Sequence, residues 1–202
     1  MILSWETSTT GGVSLVAQVQ EYDAYPPVSA LKLDAPPMNR HPDREALAGY
    51  LAFGQWVSGD LVMPASPSPL LAEAIEQDSL PVRVRPREVD YVPRALPRGR
   101  RRVLVTDEIP TCESSDHCLA IVPSSLARGV FTTGQHLIIP SNAFALGADP
   151  TVRRRSLLAV AVLFAADIDA DILSLTEGEQ SHEESSRLGD LLQCVNLQLE
   201  LS

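Results

Sequence analysis

The stretch DPTVRRRSLLAVAVLFAADIDADILSL, residues 149–175, decides the fold class. Asp149 is a good N-cap, and Pro150 suits the first helical position, where its missing N–H costs nothing. The spacing predicts a helix from Pro150 that is apolar nearly all round from Leu157, and therefore buried. Ile172 to Leu175 then reads as a buried strand. Arg153, Arg154 and Arg155 sit at the N-terminal end of this helix, where the macrodipole disfavours cations. Their placement asks for an anionic partner or a carboxylate opposite them.

Working outward, the same alternation recurs. Upstream, Met1–Glu6 and Val13–Val19 flank a Thr/Gly turn and predict a hairpin. Val28–Leu33 is a third strand. Leu47, Tyr50, Leu51 and Trp56 recur at helical spacing over about 43–58, and Ser68-Pro69 starts a second helix. Short strands are expected at Asp60–Met63, at Val82–Val84, over Arg102–Asp107, at Leu119–Val122 and at Leu137–Ile139. Downstream, a short helix over about 183–193 precedes Val195, Leu197, Leu199 and Leu201, which alternate with polar residues as a half-buried strand. The expectation is an α/β fold, with mixed α+β as its near variant. A central mixed sheet carries helices on its face and an N-terminal β-hairpin precedes it. No flexible Gly/Ser linker divides the chain, so residues 1–202 are expected to form one domain. Its halves, about 1–87 and 102–202, would pack intimately across an arginine-rich segment.

The 202 residues can bury a full core, and a hydrophobic content of 45% excludes a disordered chain. The net charge of −10 argues against bulk, charge-driven binding to nucleic acid or anionic membrane. No hydrophobic or basic leader follows Met1, and the longest apolar run, Leu157 to Ala166, is well short of a membrane span. With an odd set of three cysteines, the expectation is a soluble, cytoplasmic, acidic protein with reduced thiols.

The charge is uneven. Eight arginines lie between Arg83 and Arg102, while Lys32 is the sole lysine. Arg83, Arg85 and Arg87 fall on one face if 82–87 is extended, and Arg98, Arg100, Arg101 and Arg102 prolong the patch, with Tyr91 able to stack. Such a surface suits an anionic partner: another protein or protein subunit first, then a nucleotide or nucleic acid. The same arginines also suit a second role, as counter-ions to the acidic segment from Asp167 onward.

Directly after the ribbon, Val103-Leu104-Val105 runs into Asp107, Glu108, Cys112, Glu113, Asp116, His117 and Cys118. Asp107, Glu108 and His117 are the candidate acid/base groups. Asp107, Glu108, Cys112, His117 and Cys118 are the candidate ligands for a divalent metal, the one cofactor for which donors are at hand. The Cys112–Cys118 spacing is off the usual zinc pattern. A magnesium site at Asp107 and Glu108 rests on carboxylates at strand ends facing the ligand crevice in α/β folds. His136 reads as a core residue, His41 as a turn residue, and Ser124, Ser125 and Ser141 as caps.

Several chemistries have no motif here. There is no GxxxxGK[ST] loop, GxGxxG turn, GxSxG elbow or HExxH pair. The run from Asp167 to Asp171 starts like a calcium loop, but Ile172 replaces its turn glycine and Gly178 its terminal acid. The segment RRRSLLAVAVLFAADIDADILSL, residues 153–175, resembles the middle of PP-loop ATP pyrophosphatases of the queuosine-biosynthesis type. The resemblance implies a helix preceding a strand in a nucleotide-binding α/β fold. The family's SGGxDS motif follows no strand of this chain, so its ATP chemistry does not carry over. The leading expectation is a non-enzymatic binding or assembly protein that engages an anionic partner through the arginines. The alternative is a small enzyme for a phosphorylated or nucleotide substrate, with Asp107 and Glu108 as metal ligands and Arg100–Arg102 as phosphate clamps.

Overall fold

The computed structural model describes residues 1–109, 117–175 and 182–201. They form an α/β fold: a mixed sheet of nine strands with four helices packed on it. The chain begins with the expected hairpin, β1 (Ile2–Thr7) and β2 (Val13–Gln18), to which β3 (Ala30–Leu33) adds an antiparallel third strand. Helix α1 (Pro42–Phe53) follows, then β4 (Asp60–Leu61), α2 (Pro69–Asp78) and β5 (Arg85–Pro86). β4 and β5 pair only with each other, outside the main sheet.

The parallel block comes next. β6 (Arg101–Thr106), β7 (His117–Pro123), β8 (Phe131–Thr133) and β9 (His136–Ser141) precede α3 (Pro150–Phe164). β10 (Ala170–Leu175), α4 (His182–Gln193) and β11 (Gln198–Leu201) complete the chain. The main sheet has the order β1-β2-β3-β9-β7-β6-β10-β11, with β8 antiparallel against β9. Within it β9, β7, β6, β10 and β11 form a block in which each strand is parallel to the next. Counted along the chain, these five lie in the order third, second, first, fourth, fifth. The crossover through α3 carries the chain from β9 past β7 and β6 to β10. A topological switch point therefore lies between β6 and β10.

Local chemistry accounts for the helix starts. His41, Ser68 and Asp149 cap α1, α2 and α3, and each is followed by proline at the first helical position. His41 is thus a cap rather than a simple turn residue, and α1 starts at Pro42, just ahead of the expected Asp43. The strand expected at Val82–Val84 does not form. The backbone turns there: Val82 and Arg83 both donate to the Ser79 carbonyl, and Arg83 takes φ 56°. Arg83 is therefore not in period-two register with Arg85 and Arg87.

All four helices bury side chains against one sheet face, which carries Val103, Val105, Leu119, Ile121, Leu137, Ile139, Leu173 and Leu175. Successive residues alternate faces. Cys118, Ala120, Val122 and Ile138 consequently form a separate small cluster on the opposite face, with Ala127 packed against it. Among the described residues no helix is long and apolar enough to cross a membrane.

Candidate functional site

A cavity of about 580 Å³ opens at the amino ends of the parallel strands. Arg101 opens β6 and His117 opens β7. His117 pairs with Val103, so its side chain shares a face with Val103 and Arg101. That face is the one the helices cover, and the cleft lies between it and the end of α3, where Phe164 and Ile168 form a wall. Val130 and Thr132 form a second wall, while Phe131, paired with Ile138, puts its side chain on the opposite sheet face. Their strand, β8, turns into β9 through Gly134-Gln135, with Gly134 at φ 62°. The loop carrying Met38 forms the third wall. It is pinned by the Asp167 carboxylate, which accepts the Met38 N–H at 3.0 Å, the Asn39 N–H at 2.9 Å and the Asn39 Nδ2 at 2.9 Å.

The charged side chains of this cleft are Arg101 and Asp167. Arg101 is half exposed and only loosely held, its Nε 3.9 Å from Asp169. The Asp167 carboxylate is committed to the loop. His136 and Cys118 also border the cleft, but their register puts both side chains on the opposite sheet face. His136 is buried there with Nδ1 unpartnered. Burial pushes the Cys118 thiol up to about 11, so it is protonated at neutral pH and a poor soft ligand.

Most of the arginine ribbon is neutralised within the chain. Arg87 binds Asp60 at 2.8 Å, Arg94 binds Asp90 at 2.8 Å and Arg102 binds Glu200 at 2.9 Å. Arg83 faces Glu76 at 3.5 Å, Arg85 faces Asp60 at 3.6 Å and Arg98 faces Asp171 at 3.7 Å. Among the described residues of the ribbon, Arg100 alone has no ion-pair partner. These pairs are exposed and individually weak, about 0–1 kcal/mol each. Their combined effect is to cancel the field that a nucleic-acid surface would need.

Asp107 and Glu108 lie at the other end of β6. Five residue steps separate Arg101 from Thr106, about 16 Å at strand rise. The expected convergence of Arg100–Arg102 with Asp107 and Glu108 therefore does not occur. Asp107 instead lines a crevice of about 230 Å³ at the switch point, with Thr106, Leu175, Arg153 and Arg154. It is ion-paired to Arg153, and Arg154 Nη1 is buried without a partner. Glu108 is exposed and donates its backbone N–H to Thr106 Oγ1 at 3.1 Å. Cys112, with Glu113 and Asp116, lies outside the described residues. Among the described residues no group of three His, Cys, Asp or Glu side chains is placed to hold a metal ion.

The cleft's apolar walls leave little trace in the sequence: Val130 and Met38 sit in short polar or proline-rich runs without periodicity, and only Gly134 marks the β8–β9 turn. Comparison with known proteins matches the chain to no family model, no curated protein and no solved structure.

Proposed function

We propose that this protein is a non-enzymatic binding protein whose anionic partner is a small amphiphile, an apolar chain ending in a carboxylate. The observation that carries the reading is Arg101 and His117 on one side of an apolar cleft of about 580 Å³. That volume and lining match small-molecule sites, which are mostly apolar with a few polar groups that fix orientation. Arg101 supplies a charge-assisted hydrogen bond to the head group, and His117 a second donor. Val130, Phe164 and Ile168 receive the chain.

Calorimetric titration with butanoate, hexanoate and octanoate tests this. Each buried methylene contributes about 0.8 kcal/mol, so affinity should rise about fourfold per added carbon until the cleft is full. Arg101→Met should weaken octanoate at least tenfold while leaving the melting temperature near its original value. A flat chain-length series, or equal affinity in Arg101→Met, contradicts the reading.

One observation favours a second reading, an enzyme for a phosphorylated or nucleotide substrate. The switch-point crevice holds Asp107, Arg153 and Arg154, and open α/β sheets bind ligands at such points. On this reading inorganic phosphate or ATP with magnesium raises the melting temperature and Arg154→Met abolishes the rise. Absence of any shift removes it.

A further inference from the structure

A second cleft, about 400 Å³, lies where the N-termini of α1 and α2 meet. Neither α1, of twelve residues, nor α2, of ten, leaves its N-terminus open to an anion. His41 caps α1 by accepting the Asp43 N–H on Nδ1 at 3.2 Å. Asp43 Oδ1 accepts the Ser68 N–H at 2.6 Å, so a carboxylate already sits at the start of α2. The anionic role that two converging helix N-termini usually offer to a ligand is filled from within the chain.

What remains points to a ligand of a different kind. His41 is 8% exposed and lines the cleft, and its Nε2 is buried without a partner. Because Nδ1 is an acceptor, the neutral ring carries its proton on Nε2. A buried N–H donor is left wanting an acceptor, a state that folded chains rarely tolerate. The charged groups on the lining are Asp43, Asp90 and Arg94, two carboxylates against one guanidinium. Such a lining repels an added anion and offers acceptors to hydroxyl groups. Arg94 and the Ser68 hydroxyl add donors beside them.

The rim supplies the apolar part. Tyr91 is 79% exposed, Val92 67% and Leu70 64%, and all three border this cleft. An exposed aromatic beside two exposed aliphatic side chains is costly without a function. A planar phenol ring is suited to the C–H face of a saturated ring, and the polar floor below it to that ring's hydroxyls.

We infer that the cleft at the α1 and α2 N-termini is a binding site for a neutral, hydroxyl-rich ring of hexose type. Tyr91 stacks on the ring face, His41 Nε2–H donates to a hydroxyl or ring oxygen, and Asp43 and Asp90 accept from hydroxyls. The site shares no lining residue with the amphiphile cleft, although one loop borders both, through Met38 there and His41 here. Its ligand is excluded there by chemistry, since it lacks both the charge and the apolar chain.

Saturation-transfer NMR with glucose, galactose and mannose tests the inference, with glucuronate and glucose 6-phosphate as anionic arms. At least one neutral hexose should show transfer, and both anions should bind more weakly than the neutral sugar of the same ring. Tyr91→Ala should weaken the neutral ligand about five- to tenfold, Tyr91→Phe should not, and octanoate binding should be unchanged in both. Tyr91 is exposed, so neither variant threatens the fold. No transfer to any hexose, tighter binding of the anionic arms, or an unaffected Tyr91→Ala overturns the inference.

Discussion

Arg155 holds the helices together. Its Nη1 and Nη2 bind both oxygens of Asp78, at 2.9 and 3.1 Å, and its Nε binds Glu184 at 3.0 Å. The Tyr50 hydroxyl donates to the same Asp78 at 2.5 Å. Tyr50, Asp78, Arg155 and Glu184 come from α1, α2, α3 and α4, so one network ties all four helices. Burial opposes the charge on Arg155, but the bond to Asp78 raises its pKa overall, while burial and the Asp78 carboxylate raise the Tyr50 phenol. Arg155→Met strands the Asp78 carboxylate in the core, and the expected loss is about 3–5 kcal/mol by guanidinium unfolding. His41 gives a pH signature. Burial lowers its pKa below 6.5, against the pull of Asp43. Below that pH the unfolded chain takes up the proton first, so stability falls as pH drops through about 6. His41→Phe should flatten the decline in denaturation midpoint between about pH 7 and about pH 5.5, relative to the unaltered protein. At this scale the sequence was half legible. Three arginines at the wrong end of a helix announced carboxylates, and two of them meet such groups, Arg153 at Asp107 and Arg155 at Asp78 and Glu184. Which acids they would be was not legible, because the partners of Arg155 lie 77 and 29 residues away.

The elements were legible where chain-local chemistry decides them. Asp149-Pro150 and Ser68-Pro69 mark helix starts through an oxygen that accepts N–H and a ring that needs no donor. Asp149 accepts from both Thr151 and Val152, so Asp149→Ala should cost about 1 kcal/mol in a thermal melt. β8 was not legible, because Phe131, Thr132 and Thr133 are all exposed and show no alternation. The entry to β6 depends on Gly99 for close approach: a Cβ there would lie 2.1 Å from the Ala170 carbonyl oxygen. Arg100 and Arg101 donate to Asp169 in the same contact, at 2.9 and 3.0 Å. Gly99→Ala should push β6 from β10 and destabilise by about 2–3 kcal/mol. It should also loosen the Arg101 side of the cleft and weaken octanoate, a pairing of effects that a melt and a titration on one sample resolve.

The main sheet is mixed, and its parallel block has a candidate cleft at each end. Runs such as Val103–Val105, Leu119–Val122 and Leu137–Ile139 are apolar on both faces, which announced a buried sheet. Their spatial order was not legible, because pairing between β6 and β10 joins residues far apart in the chain and leaves no local trace. That order is what separates the two groups of candidates. The ligand-rich stretch straddles β6 and β7, so Asp107 goes to the carboxyl end and His117 to the amino end, where Arg101 joins it. The ribbon meanwhile meets Asp60, Asp90, Asp171 and Glu200, and its charge is spent inside the molecule. On the proposed reading the amino-end cleft is the binding site. Backbone amide NMR during titration with octanoate tests it most directly. Concerted shift changes are expected at Val130, Thr132, Leu137 and Ile168, with Thr106 and Asp107 unmoved. Shifts confined to the switch-point crevice, or none at saturating octanoate, would contradict it.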